Sequence, residues 1–166
     1  SDGKVLVAGG TDSSINPYNR AEIWNPQTGQ WTSAGKMKKR REIPQGIDLD
    51  DGRGLVAGGI SKLFKHMTNV EAYDPVTDEW MELASTNEGR ARFTLTKLQD
   101  GKILAVGGGA LEGPWKNSAE VYDPAADTWT LTADLITGRA MHTATLLEDG
   151  RVLVVGGMGQ GSGQGV

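Results

Sequence analysis

The chain has 166 residues, 37% hydrophobic and 23% charged, with 17 basic and 21 acidic side chains and a net charge of −4. That balance excludes a membrane-spanning or disordered chain and gives no overall drive toward nucleic acid or anionic membrane. Cysteine is absent, which removes disulfides, thiolate metal sites and cysteine nucleophiles, while glycine numbers 24, about twice the usual ~7% share.

In chain order, the first predicted element is the apolar run Val5-Leu6-Val7-Ala8, closed by Gly9-Gly10. No basic leader or cleavage site precedes it, so no targeting segment is expected in these residues, and localisation is left open. A variable stretch of about ten residues follows, then an alternating segment around Glu22 and Trp24 that stops at Pro26. Proline presets φ for the second position of a turn. Trp31 and Thr32 open a short fourth strand, and a loop is expected at Ser33–Lys39. Arg41 stands just before the next strand, which ends at the turn pair Asp51-Gly52.

The same order then begins again. The glycine pairs at 9–10, 58–59, 107–108 and 156–157 are each 49 residues apart, as are Trp31, Trp80 and Trp129. Pro26, Pro75 and Pro124 keep that step, as do Glu22, Glu71 and Glu120, and Arg41, Arg90 and Arg139. The pairs Asp2-Gly3, Asp51-Gly52, Asp100-Gly101 and Asp149-Gly150 keep it too. An ungapped period held in so many columns marks a repeat architecture. The units are 1–49, 50–98 and 99–147, with a partial copy at 148–157 and a Gly-rich flexible tail or truncated loop at 158–166.

Asp-Gly between apolar runs is a strong hairpin signal, so Thr143–Leu147 should pair with Val152–Val155. Four antiparallel strands per unit follow, and no segment has a 3.6-residue apolar period, so helix should be near zero. Runs such as Ile103-Leu104-Ala105-Val106 are apolar on both faces. Such a strand is covered on both sides, as in sheets stacked radially as blades.

The apolar strand closed by Gly-Gly, the aromatic about fourteen residues later (Trp24, Tyr73, Tyr122) and the Trp seven beyond it resemble the kelch repeat family of β-propellers. Trp24 in place of Tyr, and Asn25 in place of Asp, depart mildly from that pattern. The resemblance implies an all-β, kelch-type β-propeller segment of about three four-stranded antiparallel blades, part of a larger ring. It assigns structural roles to Gly9, Gly10, Trp31, Gly58, Gly59, Tyr73, Trp80, Gly107, Gly108, Tyr122, Trp129, Gly156 and Gly157. The expected strand count is thirteen, one more than three blades use. Either the remaining blades belong to a longer chain, or self-association completes the ring.

Alternating strand directions put the tight Asp-Gly and Asp-Pro turns on one face. The longer segments Thr11–Asn19, Ile60–Thr68, Gly109–Lys116, Ser33–Lys39, Leu83–Gly89 and Thr132–Gly138 lie on the other. Variation on a fixed scaffold is where binding usually sits. The candidate ligand face is Arg41, Arg90, Arg139, Lys38, Lys39, Trp115 and Phe64.

Each candidate has two readings. Arg41, Arg90 and Arg139 either ring a channel mouth and bind an anion bidentately, or each pairs within its own blade with Glu22, Glu71 or Glu120. The basic run at Lys36, Lys38, Lys39, Arg40 and Arg41 either docks an acidic peptide or glycan acid, or is a solvated loop. Phe64, Met67, Leu111 and Trp115 lie in variable loops. Trp115 is unique in its column, a hot spot or sugar platform on one reading and cover for its own blade edge on the other.

His66 and His142 lie in different units without a partner at ligand spacing, and His142 shares a column with Phe93 and Pro44, which favours packing. The kelch-type copper oxidases use a Tyr cross-linked to Cys plus His ligands, and this sequence has no such set. Asp48, Asp50 and Asp51 read as part of a hairpin turn instead of a calcium loop, because Asp100-Gly101 and Asp149-Gly150 repeat them. No catalytic, metal-binding or cofactor-binding residue is therefore assigned. The expected function is a non-enzymatic binding or interaction scaffold. The alternative is part of an enzymatic or sugar-binding kelch propeller with its active residues elsewhere. A protein, anionic ligand or sugar is the expected partner, and neither nucleic acid nor membrane is.

Overall fold

The computed structural model describes residues 3–109 and 114–159. Among them lie fifteen strands and no helix. β1 (Val5–Ala8), β2 (Arg20–Asn25) and β3 (Gln30–Lys36) form a three-stranded sheet. β4 (Gln45–Asp48), β5 (Gly54–Ala57), β6 (Val70–Asp74) and β7 (Glu79–Leu83) form the first complete four-stranded blade. β8 (Thr94–Lys97), β9 (Ile103–Val106), β10 (Ala119–Asp123) and β11 (Thr128–Thr132) form the second. β12 (Arg139–Ala140) pairs with β15 (Met158–Gly159), and β13 (Thr143–Leu146) with β14 (Val152–Val155).

Neighbours within each blade are antiparallel and consecutive in sequence. The Asp-Gly turns behave as their sequence demands. Gly52, Gly101 and Gly150 take φ of 89°, 80° and 85°, a conformation glycine adopts without a Cβ penalty. The strand before each such turn pairs with the strand after it, so β4 opens the blade that β5, β6 and β7 complete. Blades thus run across the 49-residue unit boundaries.

Two apolar layers separate the blades. Ala21, Ala34, Met37, Val56, Tyr73 and Trp80 pack together, with Leu6, Ala8 and Ile23 against them. Leu55, Ala57, Val70, Phe93, Ile103, Ala105, Tyr122 and Trp129 belong to the second layer. Successive residues of β5 therefore serve opposite layers, which explains a strand apolar on both faces. Each buried Trp also reaches across: Trp80 Nε1 donates to the Ala34 carbonyl at 2.7 Å, and Trp129 Nε1 to that of Ala84 at 3.0 Å.

The Gly-Gly pairs build a second inter-blade joint. Pro44, Phe93 and His142 each wedge between the first glycine of one pair and the second glycine of the next. Phe93 lies against both Gly58 and Gly108, and His142 against both Gly107 and Gly157.

Four features differ from expectation. Fifteen strands are described where thirteen were expected, because Arg139–Ala140 and Met158–Gly159 pair as β12 and β15. The latter falls inside the expected flexible tail, whose residues 160–166 lie outside the described residues. β3 runs on to Lys36, where a loop was expected from Ser33. A bulge opposite Arg20–Glu22 and Gly35 at φ 65° let it continue, and the Trp80 indole pins Ala34. Trp31, expected to pack between blades, is 51% exposed while Trp80 is 6%. No described blade lies on its side.

Candidate functional site

Strand alternation puts three hairpin extensions and three inter-blade linkers on one face. The extensions begin at the Gly-Gly pairs and close through bridges Thr11↔Pro17, Ile60↔His66 and Gly109↔Trp115. Two have described tips. There, Ile15 N–H donates to the Asp12 carbonyl at 3.0 Å, and Phe64 N–H to that of Ser61 at 2.9 Å. Ile15 and Phe64 take φ of 58° and 57°. A bulky or β-branched residue in that region is strained, and such outliers cluster at binding sites. Both side chains are exposed, as is Leu63. Asp12 accepts from the backbone of Asn16 and Ser14 and from the Asn16 amide, which holds its carboxyl below the usual range.

Charge is divided between the two faces. Among the described residues, Lys38, Lys39, Arg40, Lys62, Lys65, Arg92 and Lys116 stand on the long-loop face, against Asp12, Glu42, Glu88 and Asp134. Glu88 is engaged by Lys116 at 2.7 Å. The opposite face carries Asp50, Asp51, Asp78, Asp100, Asp127 and Asp149 in its turns, four of them paired with Lys97, Arg53, Lys102 and Arg151. A small net negative charge thus conceals a basic face. Burial, followed by Lys116 and Arg92, holds His66 below its ordinary value, as a positive neighbourhood should.

The candidate residues fall into different environments. Arg41 and Arg90 are fully buried and point into their blades instead of a channel mouth. Arg41 Nη2 meets Glu71 at 2.6 Å, and its Nη1 donates to the carbonyls of Gly58 and Asn69. Arg90 Nε meets Glu120 at 2.8 Å, and its Nη1 donates to the carbonyls of Gly107 and Ser118. The same glutamates accept from linker N–H groups, Lys38 and Lys39 on Glu71 and Asn87 on Glu120. Burial pulls the Arg41 guanidinium below its ordinary value, while Glu71 opposes that shift. Arg139 Nη1 reaches the Gly156 carbonyl, and no carboxylate meets it among the described residues.

Lys38 and Lys39 are exposed at their side chains. Phe64 is 75% exposed, whereas Trp115 is half-buried with its Nε1 unpartnered. Met67 is buried, and Leu111 lies outside the described residues. Sequence reading passed over Leu63, Ile15, Ile136 and Met141, all exposed on this face. For Ile15 the signal was present, since it occupies the same repeat column as Phe64.

The donor set does not fit a copper site. Cysteine is absent from the sequence, and no three His, Asp or Glu side chains converge among the described residues. His142 bonds Thr94 Oγ1 at 3.0 Å through Nε2, and its Nδ1 is buried without a partner.

The kelch motif profile matches residues 1–38 and 98–136. Two segments of the chain thus carry the kelch motif. The structure titled "Structure of YjhT" superposes on this chain with a TM-score of 0.77 at 16% identity, covering 96% of it and 60% of that protein. A fungal alcohol oxidase in complex with copper superposes with a TM-score of 0.61 at 25% identity, covering 78% of the chain and 28% of the oxidase. The chain thus spans less than two thirds of either structure's length. No curated protein matches the sequence. Kelch repeats generally act as protein-interaction scaffolds.

Proposed function

We propose that this kelch segment is a non-enzymatic protein-binding scaffold whose long-loop face takes an acidic partner carrying apolar anchors. The division of charge carries this reading, because it sets basic side chains on the face that exposes Leu63 and Phe64. Exposed apolar tips ringed by like charges are how interfaces combine anchoring with electrostatic steering. Lys62 and Lys65 flank Leu63-Phe64 directly, and Lys38, Lys39 and Lys116 lie on the same face. Trp115 adds a half-buried indole on that face.

A peptide library with acidic residues around Leu or Phe tests the reading by fluorescence anisotropy. Binding should exceed that of basic and neutral controls and weaken with salt. The pair Leu63→Ser and Phe64→Ser should lower affinity about tenfold or more without changing the melt. Equal binding of acidic and basic libraries would overturn it. A positive glycan array alongside a silent peptide library would favour the sugar-binding alternative.

A further inference from the structure

Side chains that recur every 49 residues hold the blades together. A charged side chain that does not recur marks a place where one copy departs from the common packing. Four such residues meet where the two complete blades join. His66 shares its column with Pro17 and Trp115, and Glu88 shares its column with Lys39 and Thr137. Arg92 stands with Ile43 and Met141, and Lys116 with Tyr18 and Met67. His66 belongs to the first complete blade, Arg92 and Lys116 to the second, and Glu88 to the linker between them.

Local contacts bring the four together. His66 closes its hairpin extension through the bridge to Ile60. Gly89 packs on it so closely that a Cβ there would lie 2.4 Å from the His66 carbonyl oxygen and 3.2 Å from the His66 Cβ. Glu88 precedes that glycine, and its carboxylate accepts from Lys116 Nζ at 2.7 Å and from Ser118 Oγ at 2.8 Å. The Lys116 N–H donates to the Gly108 carbonyl, and Arg92 Nη1 reaches the next carbonyl, that of Gly109, at 3.4 Å. Arg92 takes φ of 56°, as Ile43 and Met141 take 50° and 57°. The left-handed bend thus belongs to the scaffold, and only its side chain is particular to this blade. Lys116 and Arg92 both act on the imidazole, adding to burial in holding His66 below its ordinary value.

The charges at this junction are unevenly satisfied. Glu88 neutralises Lys116. Arg92 has one long bond to a carbonyl and no carboxylate, and no hydrogen bond engages the His66 ring among the described residues. We propose that Arg92 and His66 form a subsite for a carboxylate side chain of the partner, an inference that rests on the protein-binding reading above and locates its acidic contact. The guanidinium offers a bidentate fork, and the imidazolium adds a charged donor. With Lys116 cancelled, one fixed positive charge and one titratable group remain, which suits a monoanion better than a phosphate dianion. Leu63 and Phe64 precede His66 in the same hairpin extension, so an apolar anchor of the partner fits beside its acid. The charged groups about His66 are Lys62 and Lys65 on its own loop, Lys116 and Arg92 across it, Glu88 on the linker, and Glu42 bridged to Ile60. A bound carboxylate offsets the two cations that disfavour the imidazolium. Binding therefore takes up a proton at His66, and affinity rises as pH falls below about 6.5.

NMR titration of the His66 ring in the full chain tests this, with circular dichroism melts confirming that each variant is folded. Saturating acetate should raise the His66 midpoint by about 1 pH unit, whereas chloride at the same ionic strength should not. By linkage, an acetylated Asp-Leu-Asp-Leu peptide should bind about tenfold tighter at pH 5 than at pH 7.5, and its Asn-Leu-Asn-Leu control should not. Arg92→Gln should weaken the acidic peptide about tenfold at pH 7.5, and His66→Gln should remove the pH dependence. A His66 midpoint that responds to acetate no more than to chloride would overturn the proposal. An acidic peptide that binds tighter than its control, yet is indifferent to Arg92→Gln and leaves His66 unmoved, would overturn the subsite while the protein-binding reading stands. A His66 response to acetate, with acidic peptides no tighter than neutral ones, would support the subsite and overturn that reading.

Discussion

Arg90 Nε donates to Glu120 at 2.8 Å with neither side chain exposed to solvent. The guanidinium also satisfies the carbonyls of Gly107 and Ser118, and the carboxylate also accepts from the Asn87 N–H. The pair is the hub of a network that ties a linker to a strand end. Removing one partner leaves a buried charge and several unpaired polar groups. Arg90→Ala should therefore cost about 3–5 kcal/mol, measured by urea unfolding. Replacing both partners, as Arg90→Met with Glu120→Leu, should recover little, because the two carbonyls and the Asn87 N–H stay unpaired. Recovery to near wild-type stability would show that the backbone contacts contribute nothing.

Tyr73 and Tyr122 predict a second, smaller effect. Each phenol donates to an aspartate in the turn five residues on, Asp78 at 2.7 Å and Asp127 at 2.8 Å. Burial and that carboxylate push the Tyr73 phenol up to about 12, and Tyr122 shifts in the same direction. Asp78 and Asp127 take φ of 59° and 49°, so the bond helps hold a strained turn. The first unit has Trp24 in the tyrosine column and Gly29 in the aspartate column. With no hydroxyl to bond, the turn uses glycine. Tyr73→Phe should cost roughly 1–2 kcal/mol by thermal melting. The same loss from Tyr73→Phe in an Asp78→Gly background would show that the hydrogen bond is not its source.

Glycines in one conformation should respond differently to alanine. A Cβ at Gly58 would lie 2.3 Å from the Arg90 carbonyl and 2.9 Å from the Phe93 ring, whereas one at Gly29 meets nothing within 4 Å. Both residues have positive φ. Gly29→Ala should cost about 1 kcal/mol for the left-handed backbone alone. Gly58→Ala adds a collision with backbone and should cost several times more in the same unfolding assay. Equal losses would contradict the close inter-blade approach.

His142 makes stability depend on pH. Burial, and then the Arg139 charge, lower its pKa from 6.5. The unfolded chain therefore takes up the proton first as pH falls. The favourable contribution is complete above about 6.5 and declines as pH drops toward the folded value. His66 is shifted in the same direction and adds to the slope. His142→Phe, which copies Phe93 in the equivalent slot, should flatten the unfolding free energy between pH 7 and 5 in part. An unchanged slope would mean that His142 does not titrate with folding.

Periodicity was legible because every unit solves the same packing problem. The 49-residue columns of Gly-Gly, Asp-Gly, Tyr and Trp gave the all-β class, the four-strand order and the turn positions. Those are local requirements: positive φ at Gly52 and a ring beside a small backbone at Gly58. The arginine column was just as visible, yet its meaning was not. A guanidinium spaced every 49 residues fits a ring of ligand groups and a series of buried clamps equally well. Only the path of the linker, which turns Arg41 and Arg90 inward onto Glu71 and Glu120, separates them.

Trp31, Trp80 and Trp129 show the same limit. The sequence marked all three alike, since they sit in one column of the repeat. The tertiary structure decided which of them does. A tryptophan is buried by the blade beside it, so Trp80 and Trp129 are covered and Trp31 is left half in solvent. Burial depends on what lies across the interface, and that partner is set by the stacking of blades, not by the residues on either side in the chain.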